Sequence, residues 1–211
     1  MAITRLGGAN AISGTIPQGN IANASLGAVT ALPAGVGGSL VKLSSSTFSS
    51  STASVNYDNT LITSTYDIYA IHMVGVNGTG TSANVIRVRL SADNGSTMRT
   101  TGYRSIRRRI YNNVDDGSTF IDQTNYYSDT LLYTSPDADD LQNAVIYIYN
   151  PTSSSKKTQG QMIGTFGQAA TYHEMSHQAG RYDTAEAHNY ISLIPATDFL
   201  SGTIALYGVT T

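Results

Sequence analysis

No cysteine occurs in the 211 residues. Disulfide staples, thiolate zinc sites and cysteine nucleophiles are thereby excluded, and the redox compartment leaves no mark in the sequence. Charge is scarce as well. Twelve Lys and Arg stand against 14 Asp and Glu, a formal net charge of −2, so the chain as a whole carries no basic footprint for nucleic acid. There is no run of about 18 apolar residues to cross a membrane as a helix, and the opening MAITRLGG lacks the apolar core of a secretory signal. The expectation is a protein soluble where it is made, with no membrane partner. Its stability must come from packing and assembly, and its length suits one sizeable β domain with an appendage.

Aromatic residues are missing from residues 1–47, where Lys42 is also the only charge after Arg5. A solvated disordered tail usually carries net charge. Here Gly7, Gly8, Gly14, Pro17, Gly19, Gly27, Pro33 and Gly35 break any helix, while Ile12, Ile16, Ile21, Leu26, Val29 and Leu32 recur among small residues. Such a segment builds no core alone. Residues 1–38 read either as a flexible linker or as an extended arm whose small apolar side chains dock on a partner and become ordered there. The run AGVGG at 34–38 marks the hinge to a globular part, residues 39–211.

What fills that globular part is period-two alternation. Residues 66–76 place Tyr66, Ile68, Ala70 and His72 on one face and Tyr69, Ile71 and Met73 on the other, the pattern of a central strand covered on both sides. Residues 84–91 alternate cleanly, with Arg87 and Arg89 on the wet face, and 93–96 form a hairpin-type turn. Further strands are expected at 39–43, 126–133, 143–149, 160–167, 190–195 and 201–209, with 44–54 a Ser/Thr-rich edge or loop. In the last strand Ile204 and Leu206 oppose Thr203, Ala205 and Tyr207, and the turn formers between 195 and 203 suggest that it pairs with the strand before it. About ten short strands without an internal repeat predict an all-β, antiparallel β-sandwich. Only 169–188 competes as a helix.

That segment holds the one motif with catalytic spacing. His173-Glu174-Met175-Ser176-His177 matches H-E-x-x-H and continues through Gly180 to Asp183, a pattern resembling zincin metalloproteases. On a helix His173 and His177 stand one turn apart and share a zinc, Glu174 activates its water, and Asp183 or His188 completes the site. On a strand the histidines share a sheet face and make no such site. No methionine follows Met175, so the methionine turn of metzincins is missing. The expectation is therefore no catalytic residue, no metal and no cofactor.

Two further clusters have a bland and a functional reading. Arg99, Arg104, Arg107, Arg108 and Arg109 can neutralise phosphates, or can line a sheet face and pair with acids such as Asp115, Asp116 and Asp122. The second needs no extra assumption, and nucleic acid is not the expected partner. Asp137, Asp139 and Asp140 supply the oxygen ligands calcium favours, or form a solvated loop.

Four stretches carry a family resemblance: GGANAISGTIPQGNIANASL at 7–26, YDIY at 66–69, VRLSADNGS at 88–96 and FLSGTIALYGV at 199–209. Together they resemble small virion structural proteins of tailed bacteriophages, of the capsid decoration or tail-fibre type. The resemblance implies a glycine-rich N-terminal arm attached to other capsid or tail proteins and a jelly-roll-like sandwich displayed outward, in a virion assembled in the host cytoplasm. It implies no enzymatic step. Homotrimers fit either type, since neighbouring sandwiches can bury edge strands in each other. Length favours a decoration protein or short tail appendage, and a receptor-binding module for host glycan is the alternative. Tyr57, Tyr66, Tyr69, Tyr103, Tyr111, Tyr126, Tyr127, Tyr133, Tyr147 and Tyr149 would include the sugar-stacking surface, or would pack core and sheet faces.

Overall fold

The computed structural model describes residues 39–78, 85–113, 119–126, 129–134, 141–168 and 172–210, with the backbone alone at 112–113, 119–126, 167–168 and 172–173. The proposed arm, 1–38, lies outside these residues. Those described form an all-β sandwich of twelve strands: β1 Leu40–Phe48, β2 Val55–Tyr57, β3 Ile68–Gly78, β4 Ile86–Ser91, β5 Tyr103–Asn113, β6 Thr119–Tyr126, β7 Leu132–Tyr133, β8 Gln142–Tyr149, β9 Gln159–Gln168, β10 Tyr172–Tyr182, β11 Tyr190–Pro195 and β12 Phe199–Val209.

Every strand pairing is antiparallel, in an eight-stranded sheet ordered β1-β12-β3-β8-β9-β10-β5-β6 and a four-stranded sheet ordered β2-β11-β4-β7. The chain switches sheets repeatedly. It leaves the small sheet after β2, β4, β7 and β11, and in the large sheet it lays down β3, then the β5–β6 hairpin, then the β8–β9–β10 meander, then β12. That winding of one double layer around a shared interior is the jelly-roll-like arrangement.

Alternation explains the layering. In β8, Ala144, Ile146 and Ile148 are buried while Asn143, Val145 and Tyr147 face away; in β4, Ile86, Val88 and Leu90 are buried while Arg87 and Arg89 face out. Both sets enter one hydrophobic cluster, where Tyr69, Ile71, Met73, Ile204 and Leu206 of the large sheet meet Val88, Leu90, Ile191 and Leu193 of the small one. Each such side chain, fully buried, contributes about 1.5–3 kcal/mol. Two buried phenols keep partners: the Tyr69 hydroxyl accepts from Thr63 N and donates to Thr63 O, both at 2.7 Å, and the Tyr103 hydroxyl accepts from Leu90 N at 3.0 Å.

Two expectations are corrected. The last two strands do not pair. β11 lies between β2 and β4 in the small sheet, β12 between β1 and β3 in the large one, because residues 196–198 carry the chain across: Ala196 N donates to Val85 O, then Phe199 N donates to Thr52 O and its ring stacks on Phe48 at 5.0 Å. Of the stretch read as edge or loop, residues 44–48 are edge: they continue β1, whose edge position suits their hydroxyl-rich sequence. The strand read at 126–133 is two others, β6 ending at Tyr126 and β7 at 132–133; TFIDQTNY lacks the clean alternation that marks its neighbours.

Candidate functional site

The H-E-x-x-H segment lies on β10, a strand throughout. With a rise of about 3.4 Å per residue, His173 and His177 are roughly 13 Å apart along the backbone, whereas a zinc ion holds its nitrogens at about 2.0–2.1 Å. Alternation also puts Glu174 on the face opposite His177. Glu174 is buried in the interior with Arg109 Nη1 3.5 Å away, while His177 is exposed. The remaining zinc candidates are engaged elsewhere. Asp183 accepts hydrogen bonds from Arg104 and from Arg181 Nε (3.0 Å), and the Arg104 guanidinium chiefly holds its carboxyl below the usual range. His188 is fully buried, its Nδ1 2.9 Å from Thr158 Oγ1, and burial pushes its pKa down to about 4. Thus the helical zinc reading of His173, Glu174, His177 and Asp183 gives way to a sheet strand with its groups on two faces. The calcium candidates Asp137, Asp139 and Asp140 lie outside the described residues.

The arginine cluster is divided by β5 in the same way. Arg107 points inward, its guanidinium 4.8 Å from the centre of the Tyr133 ring, and Arg109 stacks 4.9 Å over Tyr111. Among the described side chains, the acids met by this cluster are Glu186 for Arg99, Asp183 for Arg104 and Glu174 for Arg109. Of the acids expected, Asp115, Asp116 and the Asp122 side chain fall outside the described residues; the β5–β6 backbone register sets Asp122 opposite Arg109. Arg104 and Arg108 point outward and are exposed.

Outward is where chemistry gathers. Strand register lines up Ala205, His72, Val145, Ile163, His177 and Arg108 as one row across six strands of the large sheet. A second row runs Lys42, Tyr207, Ala70, Tyr147, Gln161, Ala179 and Ile106. Apolar side chains stand open on this face, Val74 62% exposed, Ile163 53%, Met175 49% and Ile106 43%. Among the described residues, no outward position of the eight strands is Asp or Glu, while Lys42, Arg104, Arg108 and Arg181 are all there. Asp183, just past the end of β10, pairs with two of these cations.

In the middle of the face is a groove of about 310 Å³ lined by Val145, Tyr147, Tyr149, Gln161 and Ile163. Tyr147 and Tyr149, two apart on β8, place their rings 6.3 Å apart at 25°. The Tyr149 hydroxyl donates to Gln161 Oε1 at 3.3 Å, and Gln161 Nε2 lies 2.9 Å from His177 Nε2. Across β3, His72 and Tyr207 rings are 4.8 Å apart.

The chain matches no family model, no curated protein and no solved structure. Its chemistry is read from the face itself. Ring faces and aliphatic groups supply apolar contact, the chain of hydroxyl, amide and imidazole supplies donors and acceptors, and guanidinium groups supply positive charge. Of the ten tyrosines considered from sequence, Tyr57, Tyr69, Tyr103 and Tyr133 are core, and Tyr66 packs against it. Tyr111 lies under Arg109, and Tyr127 and the Tyr126 side chain lie outside the description. Tyr147 and Tyr149 alone among the described members of that set line the groove. Tyr207 and Gln161 were not singled out by sequence. Alternation with buried Leu206 is the signal that places Tyr207 outward; nothing in the sequence marks Gln161.

Proposed function

We propose that this chain is a non-enzymatic structural protein of a tailed-phage virion, anchored to the particle by residues 1–38 and displaying the sandwich outward. A capsid decoration protein or short tail appendage, in homotrimers, is the form its length suits best. The observation that carries the reading is the open face of the eight-stranded sheet. A monomer that serves only itself gains nothing from exposing Val74, Ile106, Ile163 and Met175 on one side, because large apolar side chains gathered on one open sheet face suit a place where something else docks. The jelly-roll-like winding agrees with what the sequence resemblance implies. Gold-labelled antibody against the chain, applied to purified intact particles, tests this: regular labelling of capsid or tail supports it, and unlabelled particles from a culture that expresses the chain overturn it.

A second reading, a tail-fibre or receptor-binding module for host glycan, is favoured by the Tyr147–Tyr149 groove with its adjoining Gln161 and His177. The two are compatible, since a displayed appendage can also bind.

A further inference from the structure

We propose that the open face binds an acidic polysaccharide, with its sugar rings on Tyr147 and Tyr149 and its carboxylates toward the arginines of β10 and β5. The inference rests on reading the sandwich as a displayed module and deepens it by naming the ligand chemistry. Three observations select this occupant. The groove pairs two tyrosine rings with a polar edge made by Gln161 and His177, and a sugar presents a matching combination of apolar ring face and hydroxyl rim. Next to it the strands carry cations, of which Arg104 and Arg181 share Asp183 at the rim. Arg181 lies in the row of Tyr149, about two strand spacings, roughly 10 Å, from the rings, and Arg108 stands opposite His177, about three spacings, roughly 14 Å, away. Finally, among the described residues no outward strand position carries a carboxylate, so a second copy laid face to face would set cation against cation, which disfavours self-association. A single nucleic-acid strand would seek a cationic track running past the stacked rings, whereas Arg104, Arg108 and Arg181 lie on one flank and Lys42 by itself on the other.

The full chain should be titrated with polygalacturonate, with neutral dextran and with an oligothymidylate, at low and high salt. Polygalacturonate should bind, more weakly as salt rises, and dextran should not. Tyr147→Ala should weaken binding about tenfold, the loss of one ring contact, and Arg108→Gln should lessen both affinity and salt dependence. Both side chains face outward, so unchanged circular dichroism and urea midpoint are expected; a variant that fails this check is replaced by Tyr147→Leu or Arg108→Lys, which should give intermediate affinities. Equal binding of dextran, tighter binding of the oligothymidylate, variants that bind like the parent, or no binding at all would overturn the inference. Particle attachment separates this from the parent reading: a chain that labels particles but ignores polygalacturonate sinks the ligand alone, and one that binds polygalacturonate but never labels particles sinks the virion assignment.

Discussion

Glu174 and His177 are three residues apart and belong to different worlds. Glu174 faces the interior beside Arg109, and His177 faces solvent beside Gln161. Removing a buried ion-pair partner strands the other charge, so Glu174→Ala should cost about 3–5 kcal/mol in urea unfolding, while His177→Ala should stay within about 0.5 kcal/mol. Equal costs would deny the two-faced strand. The same geometry predicts that purified protein holds far less than one zinc per chain by metal analysis. His188 governs a pH response. Its pKa is 6.5 for the free side chain and about 4 in the fold, so between those values the unfolded chain holds a proton that the folded chain lacks. Its contribution is intact above the upper value and is lost as pH falls toward the lower, by about 3 kcal/mol. His188→Gln should flatten that part of the stability profile; an unchanged slope from pH 7 to 4 would contradict it. Spacing alone made H-E-x-x-H legible as a motif, but the four-residue interval means one face on a helix and one face on a strand alike. What separates the cases is where the intervening Glu174 goes, and that depends on Arg109 arriving from another strand.

The strands most legible in the sequence were those with one clean apolar face, β3, β4, β8 and β12. β6 was missed because its residues alternate weakly, and the β11–β12 hairpin was misread because nearness in sequence does not distinguish a turn within a sheet from a crossing between sheets. Tertiary contact also fixes positions that propensity cannot explain. Gly180 on β10 lies against the segment leading into β7: a Cβ there would fall on the Leu131 carbonyl oxygen, and the neighbouring Gln178 exchanges hydrogen bonds with the Tyr133 backbone. Gly180→Ala should therefore destabilise by about 1–3 kcal/mol through overpacking, read as a lower urea midpoint with unchanged slope. A midpoint equal to the parent's would mean that β7 is not held there. β12 lies inside the large sheet between β1 and β3, with Ile204 and Leu206 fully buried. Deleting residues 204–211 should leave insoluble or unfolded protein, because it removes core from the middle of the sheet and not from its edge.

Over the entire chain, a net charge of −2 conceals a face on which, among the described residues, no strand position is a carboxylate. The acids near the arginines are used at rims and in the interior, as Asp183, Glu186 and Glu174 show, so composition could exclude a uniformly basic surface but not a one-sided one. Fold class was legible because turn spacing and alternation recur along residues 39–211. The open face was only half legible, since alternation says which residues share a side and only the fold says which side is covered. The proposed division of labour between an anchoring arm and a displayed sandwich is tested most directly on stripped virions. Full-length chain and a 39–211 truncation, both confirmed as folded, are mixed with particles freed of this protein and sedimented. The account predicts that the full chain pellets with the particles while the truncation stays in solution; undiminished pelleting of the truncation would contradict it.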